Sequence, residues 1–155
     1  GKTSIFNVLT HKNTLVENAL FTTLDSSISK MYMQELQKEV LVTDTIGFIR
    51  NLPLELIKAF KSTLMESIHA DILLHVIDVS DKEMQMKIDV VNKILGELGR
   101  NAEDMIYVFN KIDAVSSFNK EDLKEKYEKH LPIFVSAKTG MGVLEIKKYI
   151  AKSFV

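Results

Sequence analysis

The chain has 155 residues, enough for one domain with a full hydrophobic core. Its net charge of −1 gives no general basic field of the kind that marks nucleic-acid or membrane-surface binders. There is no cysteine, which excludes disulfides and thiolate metal sites and fits a reducing compartment, and no apolar run approaches a membrane span or a signal peptide, so a cytoplasmic monomer without membrane contact is expected.

In chain order, Ile5 and Leu9 fit a first helix that starts at Lys2. "KMYMQEL" (30–36) alternates and reads as an edge strand, paired in a hairpin with "EVLVTD" (39–44). Pro53 suits a first helical turn, and Leu56, Ile57, Phe60, Leu64 and Ile68 follow at helical spacing. "ILLHVIDV" (72–79) is nearly all apolar, as in a strand covered on both faces. Met84, Ile88, Val91, Leu95 and Leu98 predict a helix ended by Gly99. "MIYVFN" (105–110) and "PIFVSA" (132–137) are further buried strands. Between them Asn119 can cap a helix carrying Leu123 and Tyr127, and Val143, Ile146 and Ile150 predict a last helix after Gly142. Helix, hairpin and then βα units make an α/β domain with a mostly parallel sheet and helices on both faces.

Ligands of such sheets sit at the carboxyl ends of the strands, where this sequence places Asp44, Asp78, Asn110 and Ser136. Gly1-Lys2-Thr3 reads as the end of a phosphate-binding loop, G-x-x-x-x-G-K-[ST], with a lysine for the β- and γ-phosphates and a hydroxyl for Mg²⁺. The first glycine of that loop and the strand before it are not in the sequence, so an N-terminally cut site is expected. "TDTIGF" (43–48) supplies D-x-x-G: Asp44 as a Mg²⁺ contact and Gly47 as a backbone donor unobstructed by a Cβ. A threonine of "FTTLD" (21–25) can close over the metal and the γ-phosphate. In "NKID" (110–113) Asp113 offers two acceptors for the N1–H and exocyclic amine that guanine has and adenine lacks. Asn110 can tie the neighbouring loops together, and the stem of Lys111 can lie over the ring. In "SAK" (136–138) the Ala137 N–H can donate to guanine O6 and Lys138 can cover the other face of the base. Each motif also has a plain structural reading, as a cap, a turn or a chain start. Their order, each at a strand end or loop, selects a Mg²⁺-dependent guanine-nucleotide site. His75 lies mid-strand and is expected to be a packed core histidine.

"FTTLD", "VLVTDTIGFIRNLP", "DILLHVIDVSD", "FNKID" and "VSAKTGMGV" resemble the G domain of the HflX family of ribosome-associated GTPases, in the Obg–HflX group, along essentially the whole chain. The resemblance implies a P-loop NTPase fold of the Ras-like type over residues 1–155, lacking its first strand and half of the phosphate loop. In the related fold that strand lies between the strands at 39–44 and 72–79, so a hole in the sheet is expected, with a chain that is unstable alone or binds GTP much more weakly than its parent. It also implies that Gly1, Lys2, Thr3, Thr23, Asp44, Gly47, Asn110, Lys111, Asp113, Ser136, Ala137 and Lys138 bind GTP or GDP, with Thr3, Thr23 and Asp44 at the Mg²⁺ ion. Ras-like GTPases place a water-orienting glutamine after D-x-x-G; Phe48 stands there in this chain, which implies low intrinsic turnover and activation by the large ribosomal subunit. Arg50 reads as a surface cation. A nucleotide-binding switch module with negligible hydrolysis, and an Obg-like GTPase, are the alternatives.

Overall fold

The computed structural model describes residues 1–12, 27–45 and 68–154. Helix α1 (Lys2–Thr10) buries Ile5, Phe6 and Leu9 and stops at His11, whose backbone turns left-handed (φ 56°). Strands β1 (Ser27–Met33) and β2 (Lys38–Asp44) form an antiparallel hairpin, with Ser27 opposite Asp44 and Met33 opposite Lys38. The first strand begins three residues earlier than its alternation suggested and ends before Gln34. A tight turn with Gln37 at φ 49° takes over there, closed by Leu36 N–H to Met33 O. Strands β3 (Leu73–Asp78), β4 (Met105–Asn110) and β5 (Ile133–Phe134) form a parallel sheet in that order. Helix α2 (Met84–Glu97) lies between β3 and β4; α3 (Lys120–Lys126) precedes β5 and α4 (Val143–Ser153) follows it.

β4 is buried at every position. Ile106 and Val108 pack with α1 and α4 through Ile5, Leu9, Ile146 and Ile150. Met105, Tyr107 and Phe109 pack on the other face with Ile88, Val91 and Leu95 of α2. Alternate side chains of a continuous apolar strand thus feed two helical layers. Asn119 Oδ1 accepts the Asp122 N–H at 3.3 Å and starts α3 as expected of a cap. His75 is half-buried at the edge of the core rather than within it: its ring meets Tyr107 edge-on at 5.0 Å, and burial pushes its pKa down to about 4, so it is neutral at pH 7. The amphipathic pattern after Pro53 lies outside the described residues except for its last turn at Ile68. There Arg100 Nη1 donates to the Ile68 and Ala70 carbonyls, both at 3.1 Å.

Two expectations for the sheet are corrected. The strand read over 132–137 is regular only at Ile133–Phe134, because Val135 N–H still pairs with Phe109 O while its carbonyl accepts from Ile112 N–H in the adjoining turn. β3 is half-buried rather than covered throughout. Its far edge borders a gap: β2 and β3 belong to separate sheets, and among the described residues no strand lies between them. A cavity of about 520 Å³ fills that space, lined by Val40 and Val42 of β2 and by Leu74 and Val76 of β3.

The last helix is set by Gly142. Its φ is 76°, and a Cβ there would lie 2.2 Å from the Phe134 carbonyl oxygen. An L-residue meets both a left-handed backbone and a clash with β5. Gly142→Ala is expected to cost roughly 3 kcal/mol by thermal or denaturant unfolding.

Candidate functional site

The carboxyl ends of β2, β3 and β4 and the N-terminus of α1 meet at one end of the molecule. Gly1 is the N-cap residue of α1, and the Ile5 N–H closes the first turn on its carbonyl at 3.1 Å. A helix start presents unpaired N–H groups and a partial positive charge, a setting for phosphate. Lys2 and Thr3 stand in that first turn. Burial pushes the Lys2 ammonium below its usual pKa, while the neighbouring Asp44 carboxylate acts in the opposite direction. An anion bound there would relieve this cost.

Thr3 Oγ1 donates to Asp44 Oδ2 at 2.7 Å. Asp44 is only 4% exposed. A hydroxyl and a carboxylate thus converge at the start of α1, an oxygen-only pair of the kind a hard cation prefers. Mg²⁺ keeps water and phosphate oxygens as its other ligands, so a two-residue protein set fits it. Among the described residues no cluster of three or more His, Cys, Asp or Glu could hold a metal unaided.

A second group of residues hangs from β4 and the turn after β5. Asn110, 2% exposed, closes β4, and its Oδ1 accepts the Ala137 N–H at 3.0 Å. That N–H is the donor considered above for a purine oxygen; in this state Asn110 holds it. Asp113 Oδ1 accepts from the buried Ser136 hydroxyl at 2.6 Å. That bond, chiefly, lowers the Asp113 pKa, so the group is a carboxylate acceptor at neutral pH. Ser136 Oγ also accepts the Thr139 N–H at 3.1 Å, which fixes the loop that carries Lys138. Lys111 sits between these residues with φ at 67°.

The two groups touch. A Cβ added to Gly1 would fall 2.8 Å from Asn110 Nδ2, so the backbone at the start of α1 lies directly against the side chain that ties the second group together. The structure therefore brings together Gly1, Lys2, Thr3 and Asp44 with Asn110, Lys111, Asp113, Ser136, Ala137 and Lys138. Thr23 and Gly47 lie outside the described residues, as does Phe48. Sequence reading noted Asp78 only as a strand end. In the structure its Oδ2 pairs with Lys111 Nζ at 2.6 Å, and its Oδ1 takes both the Ser80 N–H (3.0 Å) and the Ser80 hydroxyl (2.6 Å). The available signal was the spacing D-x-S straight after a strand, a side-chain turn motif.

The sequence matches the family described as 50S ribosome-binding GTPase over residues 1–111. It is 44% identical over 146 residues to a protein named GTPase HflX from Caldanaerobacter subterraneus subsp. tengcongensis, covering 92% of this chain and 32% of that protein. It is 36% identical to GTPase HflX of Escherichia coli, covering 94% of this chain and 34% of that protein. The chain thus spans about a third of the length of these relatives. A solved GTP-binding protein from Sulfolobus solfataricus in complex with GDP superposes with a TM-score of 0.75 at 26% identity, covering 97% of this chain and 48% of that one.

The Lys2 environment makes a pH prediction. Its pKa is depressed without ligand and would be raised by bound phosphate, so binding takes up a proton, and affinity falls as pH rises through the depressed value. Calorimetric titration with GDP at alkaline pH, in buffers of different ionisation heat, is expected to show proton uptake that is smaller in Lys2→Met than in wild type.

Proposed function

The chain belongs to the 50S ribosome-binding GTPase family and has its P-loop GTPase fold, and we propose that it binds GTP and GDP with Mg²⁺ and hydrolyses GTP slowly until the large ribosomal subunit engages it. The observation that carries this reading is the direct contact between the two halves of the site, Gly1 against Asn110. A nucleotide with its phosphates at the start of α1 would then reach the β4–β5 end with its base.

In this reading the Lys2 ammonium and the α1 N-terminus neutralise β- and γ-phosphate charge, and Thr3 and Asp44 hold Mg²⁺, with Thr23 as a third contact. Mg²⁺, when bound, supplies charge neutralisation on the phosphate oxygens as the terminal P–O bond breaks. Water attacks the γ-phosphorus, the bridging oxygen leaves with GDP, and inorganic phosphate is released. Gly47 donates its N–H to the γ-phosphate. Asp113 accepts from the base edge, Lys111 and Lys138 cover its two faces, and Asn110, Ser136 and Ala137 keep the loops in place. Phe48 cannot align the attacking water as a glutamine does. The repositioning of the segments that carry Thr23 and Gly47 is therefore assigned to the 50S subunit, and the cytoplasm is where the two would meet.

The reading is tested in two steps. Titration with fluorescent GDP and ADP is expected to show guanine-selective, Mg²⁺-dependent binding. Asp113→Asn should weaken GDP binding at least about tenfold while improving binding of xanthosine diphosphate, because the amide offers a donor where the carboxylate accepted. GTP hydrolysis should rise on the order of tenfold or more on adding 50S subunits. Equal affinity for adenine and guanine nucleotides, or fast turnover without ribosomes, would contradict it.

A further inference from the structure

We infer that Asp78, oriented by Ser80, is a positioning residue for nucleotide binding: it anchors the ammonium of Lys111 so that the lysine stem is fixed as one wall of the base pocket before any base arrives. The inference rests on the guanine-nucleotide reading above and adds to it Asp78 and Ser80, to which that reading assigns no role.

Asp78 ends β3 directly opposite Asn110 in the parallel register, so the backbone places it beside the base loop. Its two oxygens have separate partners. Oδ1 is held by the Ser80 N–H and hydroxyl, which leaves Oδ2 turned toward Lys111 Nζ at 2.6 Å. Burial alone would raise the Asp78 pKa, but the bonds from Lys111 and Ser80 outweigh it and keep the group ionised. The lysine backbone is equally constrained, at φ 67°, by the turn in which Ile112 N–H reaches Val135 O at 3.3 Å. A lysine pinned at both ends has already lost part of the rotamer freedom that a free one would give up when a ring lands on it. Among the described residues Lys138, the other cation assigned to the base, has no such anchor. The pocket is thus built with one fixed wall and one adaptable wall.

A second effect of Asp78 has the opposite sign. The carboxylate neutralises Lys111 close to the phosphate end, so removing it frees a cation near a polyanionic ligand. Positioning predicts that Asp78→Asn weakens binding; simple charge predicts that it tightens binding, with strong salt dependence. The two are separable because Ser80→Ala leaves the charge and the Ser80 N–H bond and removes only the hydroxyl half of the clamp.

The experiment measures affinities and dissociation rates of GDP and IDP for wild type, Asp78→Asn, Ser80→Ala, Lys111→Met and the Asp78→Asn/Lys111→Met double variant, with thermal unfolding as the check on folding. Expected are about a tenfold loss for Asp78→Asn, mostly in dissociation rate, and a smaller loss for Ser80→Ala. The double variant should be no weaker than Lys111→Met alone. GDP and IDP should be weakened by the same factor, since Lys111 covers the ring and does not read its edge. Additive losses in the double variant, a changed GDP to IDP ratio, or tighter binding by Asp78→Asn would overturn the inference while leaving the functional reading intact. Absence of guanine-selective binding by the wild-type chain would instead overturn that reading, and this inference with it.

Discussion

The site depends on one buried side chain, the amide of Asn110. It closes a strand with no exposed residue, accepts the Ala137 N–H from the loop after β5, and lies against Gly1 at the start of α1. Three chain segments distant in sequence are referenced to a single group that is 2% exposed. A buried amide left without its partners costs about 1–3 kcal/mol, so the arrangement strongly resists change at this point. The phosphate end and the base end keep their separation because both are measured from Asn110.

The surrounding layers hold that amide where it is. β4 sends Ile106 and Val108 to one helical layer and Tyr107 and Phe109 to the other, and neither layer can slide without opening the core. Around Tyr107 the packing is aromatic on several sides. His130 stacks on it at 4.1 Å, His75 meets its edge, and its hydroxyl donates to Asn92 Oδ1 at 2.9 Å. The hairpin is attached differently. It reaches the rest of the molecule through α1, the Thr3–Asp44 hydrogen bond, the Lys38 ammonium over the Phe154 ring and the Met31 and Met33 side chains in the core, rather than through strand pairing with β3. Asp44 and Asn110 therefore end strands of two separate sheets.

Most of this was legible in the sequence, for a physical reason. Strand-end residues such as Asp44, Asn110 and Ser136 interrupt apolar runs abruptly, and a buried polar group at such a point needs a partner. Helix boundaries at Asn119 and Gly142 followed from capping and glycine chemistry, and the start at Lys2 from the spacing of Ile5 and Leu9. The misses have equally local causes. The alternation of "KMYMQEL" runs on into a turn, so pattern alone placed the strand three residues late. Val135 and Ser136 are as apolar or as buried as strand residues, yet their backbone serves the neighbouring turn. Half-burial of β3 depends on what stands beside it, which its own sequence cannot state. The Asp78–Lys111 pair was hidden because it joins two motifs across a parallel register, and neither motif alone announces it.

The central claim is that segments at the two ends of the site act as one nucleotide pocket referenced to Asn110. Amide chemical-shift mapping on addition of GDP and Mg²⁺ tests it most directly. The account predicts concerted changes, with a single saturation midpoint, at Lys2 and Thr3, at Asp44, at Asn110 to Asp113 and at Ser136 to Lys138. Changes confined to one of these segments, or different midpoints for the phosphate and base ends, would contradict it.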